Sequence, residues 1–170
     1  MSFKEKIIDN CISKENQNLL INEIINNNFF PWYLNTDLTF KKGKQKRPSM
    51  SHIFINNKKQ NSTKAELIYS IFSKILNKNI INCKTILQLP INTKTISYDT
   101  PHIDMHEPHI VCLYYVINSD GETILFKNKK IHKKIKPKQG RLLIFDGNMV
   151  HTAYQPKKNI RCIINFNVEK

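Results

Sequence analysis

GRLLIFDGNMVHTAYQPKKNIRCIINFNV, residues 140–168, decides the fold. Two runs rich in branched and aromatic side chains, RLLIF (141–145) and RCIINFNV (161–168), lie either side of turn-forming residues, QPKKN at 155–159 among them. Neither run has the three-to-four-residue spacing of an amphipathic helix, so both read as strands. Working outward, TILQL (85–89), HIVCLYYVIN (109–118), ETILF (122–126) and KIHKKIK (130–136) read the same way, with breaks at SDG (119–121), KNKK (127–130) and PKQG (137–140). Many short strands at such spacing predict an antiparallel β sandwich or barrel.

The first third reads differently. Ser13 caps a predicted helix over 14–27 with Leu19, Leu20, Ile24 and Ile25 on one face, and FFPWYL (29–34) ends it, because a proline disfavours helix in the residue before it. A second helix is predicted over 62–78. Thr63 and Glu66 form its capping box, and Ala65, Ile68, Phe72 and Ile75, with Leu67, Ile71 and Leu76 beside them, form its buried stripe. These helices are expected to pack outside one sheet, as helical and mixed support over 1–80 for a β core over 83–168, in a single domain of 170 residues.

No run of eighteen apolar residues is present, so no membrane span is expected, and MSFKEKIIDN has no apolar signal core, so secretion is not expected. The cysteines at 11, 83, 112 and 162 are widely spaced and read as reduced thiols, and the cytoplasm is the expected location. With 27 Lys and Arg against 13 Asp and Glu, the formal charge is +14. That charge allows a nucleic-acid partner, but the abundance of Lys, Asn and Ile together equally reflects an AT-rich coding sequence. KKGKQKR (41–47), the densest basic run, reads as a solvated loop.

PHIDMHEPH (101–109) holds three of the six histidines in nine residues. In extended chain His102 and Asp104 point to the same side. His151, just past RLLIFDGN, supplies a second imidazole from a distant strand. Two histidines and one carboxylate leave open positions on an octahedral metal, the ligand set of non-haem Fe(II) oxygenases. Arg161 opens the next strand ten residues after His151, where its guanidinium can fork onto a carboxylate.

This HxD…H…R arrangement resembles the Fe(II)/2-oxoglutarate-dependent dioxygenases, in particular their prolyl 4-hydroxylase-like branch. CLYYVIN (112–118), DGET (120–123), GRLLIFDGNMVHTAYQP (140–156) and IRCIINFNV (160–168) are similar to the branch's segments, and to small oxygenases encoded by marine phages. The likeness runs over 83–168 and is poor over 1–80. It implies a double-stranded β-helix, a cupin-like jelly roll with N-terminal helices. It implies Fe(II) on His102, Asp104 and His151, and Arg161 on the far carboxylate of 2-oxoglutarate, with Tyr115, Thr123 and Gln88 as further cosubstrate candidates. Gln88 departs from the tyrosine or asparagine usual on its strand. O₂ is the co-reactant, ascorbate an optional accessory, and succinate and CO₂ the by-products. The carboxylate of Asp104 favours hydroxylation over halogenation, in which a small residue replaces it.

His106 and Glu107 read as a loop at the pocket mouth, and His109 as the start of the next strand, at the substrate entrance or in a polar loop. His52 and His132 show no partner and read as structural or surface residues; Trp32 and Tyr33 flank the pocket or pack. Two other readings stay open: a zinc hydrolase with Glu107 as general base, which lacks HExxH spacing, and a non-catalytic jelly-roll binding module, which leaves Arg161 without a carboxylate. For substrate, the branch suggests a peptidyl or protein side chain such as proline. Nucleic-acid demethylases carry a second arginine six residues after the first, and here that position is Asn167.

Overall fold

The computed structural model describes residues 4–36, 47–90 and 98–170. Its main sheet runs β1-β9-β6-β11-β5-β3-β2, with β4 on β3, and every pairing is antiparallel. These strands are β1 (Lys6–Ile8), β2 (Tyr33–Asn35), β3 (Ser49–Asn56), β4 (Lys59–Gln60), β5 (Ile80–Gln88), β6 (His109–Tyr115), β9 (Leu142–Asp146) and β11 (Arg161–Glu169). A smaller sheet holds β10 (His151–Ala153), β7 (Thr123–Lys127) and β8 (Lys130–Ile135), in the order β10-β7-β8. Helices α1 (Lys14–Ile24) and α2 (Ala65–Leu76) complete the chain.

The alternation along β6 and β11 builds two cores. Val111, Leu113, Tyr115 and Ile163 meet Leu125, Ile135, Leu143 and Phe145 on the side of the small sheet. Cys112, Tyr114, Ile164, Phe166 and Val168 turn the other way and meet Leu20, Ile24, Ile68, Phe72 and Leu76 of the helices. A central strand covered on both faces reads as a continuous apolar run, which is why RCIINFNV shows little polar alternation. Phe72 anchors α2 between Tyr114 and Phe166, at ring distances of 5.0 and 4.9 Å. The architecture is mainly β, with the antiparallel sheets and outer helices expected from the strand pattern and the jelly roll implied by the resemblance.

The differences are local. Helix α1 ends at Ile24, and Leu19 faces solvent instead of the core. Ser13 does cap it, accepting from Asn16 N at 3.2 Å. Helix α2 starts at Ala65 without the Thr63–Glu66 capping box. Ser62 takes that place: its Oγ accepts from Lys64 N at 3.1 Å and lies 2.9 Å from His52 Nε2. The main sheet also reaches back before residue 83, through β1, β2, β3 and the start of β5. Asn57 and Lys58, like Asn128 and Lys129, have positive φ, so the β3–β4 and β7–β8 hairpins turn on paired left-handed residues. Of KKGKQKR, residues 41–46 lie outside the described residues. Arg47 is not solvated: it is buried and pairs with Asp99 at 2.9 Å. Cys83, Cys112 and Cys162 are buried free thiols, and Cys11 is half-buried. Among the described residues, no helix is long and apolar enough to cross a membrane.

Candidate metal centre

His102 and His151 are brought together by backbone pairing. Each residue's N–H donates to the other's carbonyl, at 3.0 and 2.9 Å, which joins the HxD segment to β10. Both rings are then anchored alike. His102 Nδ1 lies 2.9 Å from Thr100 O and His151 Nδ1 3.1 Å from Met149 O. A carbonyl only accepts, so Nδ1 carries the proton in each ring and Nε2 keeps its lone pair. Both Nε2 atoms face Asp104 Oδ1, at 3.7 and 3.6 Å. These separations are too long for hydrogen bonds and suit ligands gathered on one ion. His102, Asp104 and His151 each offer a ligand atom, all within 4.8 Å of one another.

The second oxygen of Asp104 is held separately. Oδ2 accepts from Asn167 Nδ2 at 2.7 Å and Asn165 Nδ2 at 3.0 Å, both on β11. Oδ1 is left toward the histidines. Burial pushes the Asp104 carboxyl up, but His151 and the two carboxamides outweigh it and hold the group well below the usual carboxylate range. The His102 ring is half open at the cavity mouth, yet desolvation by the wall and the neighbouring His151 keep its pKa below the ordinary imidazole value. A neutral, oriented imidazole and an ionised carboxylate are the forms that bind a divalent metal. The donor set therefore fits Fe(II). The sequence did not single out Asn165, and it marked Asn167 only as the place of a missing arginine.

Arg161, buried at the start of β11, is held in a fixed pose. Its Nε donates to Gly121 O, Nη1 to Gln88 Oε1 and Nη2 to Thr123 Oγ1, each at 2.9 Å. Gly121 is required for this pose, because a Cβ there would stand 2.9 Å from both Arg161 Cδ and Tyr154 O. Among the described residues, three of the five guanidinium N–H groups are used and two remain, one on each terminal nitrogen. The network continues outward. Gln88 Nε2 donates to Asp99 Oδ2 at 3.0 Å, and Asp99 Oδ1 pairs with Arg47. Tyr115 donates its hydroxyl to Thr123 Oγ1 at 2.8 Å, and burial pushes its pKa up to about 12. Tyr115 thus touches Thr123, and is separated from the cavity by it.

One cavity of about 330 Å³ holds the triad together with Gln88, Thr123 and Arg161, walled by Ile86, Ile103, Leu113 and Ile163. The other histidines lie elsewhere. His106 is exposed. His109 does open β6, but it is buried against Gly147, with Nδ1 2.7 Å from Glu107 O, and does not line the cavity. His52 is not partnerless: its Nδ1 lies 3.0 Å from Pro31 O, besides the bond to Ser62. His132 pairs with Glu5 at 3.2 Å. Trp32 packs on Phe30 and Tyr33 stacks on His52, so neither flanks the cavity. Glu107, the general base of the hydrolase alternative, is exposed and off the cavity wall.

Two antiparallel sheets, with the His102–Asp104–His151 cluster between them and Arg161 behind it, form a double-stranded β-helix. No protein-family model matches the sequence, and no curated protein does. Solved structures match over almost the whole chain. A 2OG-Fe(II) oxygenase family oxidoreductase from Burkholderia pseudomallei shares 11% identity at a TM-score of 0.73, covering 96% of this chain and 84% of that one. A prolyl hydroxylase from Trichoplax adhaerens, in complex with a hypoxia inducible factor peptide fragment, shares 17% at 0.67, covering 97% and 83%. The viral collagen prolyl hydroxylase of Paramecium bursaria Chlorella virus-1, in a 2OG complex, shares 18% at 0.61, covering 96% and 94%. What these proteins share with the chain at such identities is the fold, the one implied by the HxD…H…R resemblance.

Proposed function

We propose that this protein is an Fe(II)- and 2-oxoglutarate-dependent dioxygenase that hydroxylates a peptidyl or protein side chain, with proline as first candidate. The observation that carries this reading is the oriented His102–Asp104–His151 cluster sharing one cavity with a buried arginine that retains two unused N–H groups. His102, Asp104 and His151 would hold the iron, each through an atom already turned inward. Arg161 would take the far carboxylate of 2-oxoglutarate in a two-pronged contact, held in place by Gly121, Gln88 and Thr123. Ile86, Ile103, Leu113 and Ile163 would keep water from the reacting groups. When bound, the iron with 2-oxoglutarate and O₂ supplies the oxidising chemistry, with succinate and CO₂ released. The peptide preference rests on the prolyl hydroxylases among the structures of like fold.

The test is an anaerobic visible titration of the apoprotein with Fe(II) and then 2-oxoglutarate. A weak charge-transfer band is expected only with both present, and is expected to be lost in Arg161→Ala. His151→Ala should abolish Fe(II)-dependent turnover with native far-ultraviolet dichroism. No band, with tightly retained zinc instead, would refute the oxygenase reading.

A further inference from the structure

The inner face of β5 and β11 forms a ladder along the cavity. Register sets Gln88 opposite Arg161, Ile86 opposite Ile163 and Lys84 opposite Asn165. Arg161 stands at the buried end. Lys84 stands at the open end, near the half-exposed His102, about 13 Å along β5 from Gln88. Two cations therefore bracket the triad, one behind it and one in front.

Their situations differ. Arg161 is bound by three protein groups and faces the space proposed for the cosubstrate. Lys84 makes no ion pair among the described residues, although it lines the same cavity. Among the described residues the cavity wall holds two carboxylates, and both are committed: Asp99 to Arg47 and Gln88, Asp104 to the triad and the two asparagines. With Fe(II) on Asp104 and a dianionic cosubstrate on Arg161, the buried charges cancel. Among the described residues, the positive charge of Lys84 is then left over at the mouth. An unpaired cation beside apolar walls is favourable when a carboxylate arrives with the ligand.

We infer that Lys84 forms an anion subsite at the cavity mouth and that the substrate is an acidic peptide, with a carboxylate side chain next to the residue oxidised. This rests on the proposed oxygenase function and names its substrate class. Among the described residues, one lysine on a wall that also holds Ile86, Ile103 and Leu113 suits one carboxylate on an otherwise apolar segment. A phosphate chain would call for several cations along the groove.

The experiment uses the full chain loaded with Mn(II) and 2-oxoglutarate, and three labelled peptides of equal length whose central proline is flanked by Glu, Ala or Lys. Binding is read by fluorescence anisotropy. The wild type is expected to bind the Glu-flanked peptide about tenfold tighter than the Lys-flanked one. Lys84→Ala should bring the two within about twofold, and Lys84→Glu should reverse their order. Lys84 is exposed, so both variants should keep native dichroism. Equal binding of all three peptides by the wild type, or an unchanged order in Lys84→Glu, would overturn the inference. So would an oligothymidylate that outcompetes the Glu-flanked peptide and loses this advantage in Lys84→Glu. The Fe(II)/2-oxoglutarate band of the wild type separates the two readings. Absence of the band sinks the oxygenase function itself, whereas a normal band with indifferent Lys84 variants sinks only the acidic-peptide assignment.

Discussion

Replacing Asn167 with alanine tests the centre without touching a ligand. Asn167 donates the shorter of the two bonds to Asp104 Oδ2, 2.7 Å against 3.0 Å from Asn165. A hydrogen bond to a charged group contributes about 1.5–3 kcal/mol, and losing a partner of a ligating side chain costs about 10–100-fold in metal affinity. Asn165 still holds Oδ2 in the single variant, so the smaller figure applies, a rise of about tenfold in the Mn(II) dissociation constant. In Asn165→Ala/Asn167→Ala no donor remains on a buried oxygen, and the carboxylate is free to rotate. The two partners act on one atom, so the double loss should exceed the sum of the single losses. Calorimetric titration of Mn(II) into apoprotein at fixed pH gives the constants, and thermal melting of the same samples reports folding. If singles and double all bind Mn(II) within about twofold of wild type while remaining folded, the carboxamides do not position Asp104 and the reasoning fails.

Other substitutions reach other parts of the site. Gly121→Ala places a Cβ against Arg161 Cδ and Tyr154 O; the 2-oxoglutarate concentration needed for half of the visible band should rise about tenfold while Mn(II) affinity stays within twofold. Arg47→Ala leaves the buried Asp99 without its paired cation, with Gln88 still donating to it, and should cost about 3 kcal/mol in denaturant unfolding. Asp120 accepts from the N–H groups of Lys157, Lys158 and Asn159. Burial pushes its carboxyl up, but these donors outweigh it and leave the folded pKa lowered. That contribution is full above the unfolded carboxylate pKa of about 4 and is lost as pH falls through the lower folded value, so Asp120→Asn should flatten the loss of melting temperature on acidification below about pH 4.

Some of this was legible in the sequence because its determinants are short-range. The spacing of His102 and Asp104, and the strand–turn–strand pattern around His151 and Arg161, lie within a few residues of one another. The geometry bringing them together is long-range, but it follows once the strands are ordered into a jelly roll. The clamp on Asp104 was not legible. It depends on which face of β11 meets the HxD segment, and two asparagines in an apolar run carry no sign of that. Arg47 was misread for a similar reason, since its partner Asp99 is 52 residues away and the lysines around it suggested solvent. The lost capping box shows local competition. Thr63 and Glu66 have the right spacing, but Ser62 is already tied to His52 and turns the chain one step earlier.

One strand carries a disproportionate share of the site. Arg161, Ile163, Asn165 and Asn167 alternate along the inner face of β11. A single inserted or deleted residue early in that strand would turn all four away and present Cys162, Ile164, Phe166 and Val168 in their place. The proposed cosubstrate anchor and the hold on Asp104 would then vanish together. Both capacities depend on one register, so a change of frame there costs more than the loss of any one side chain.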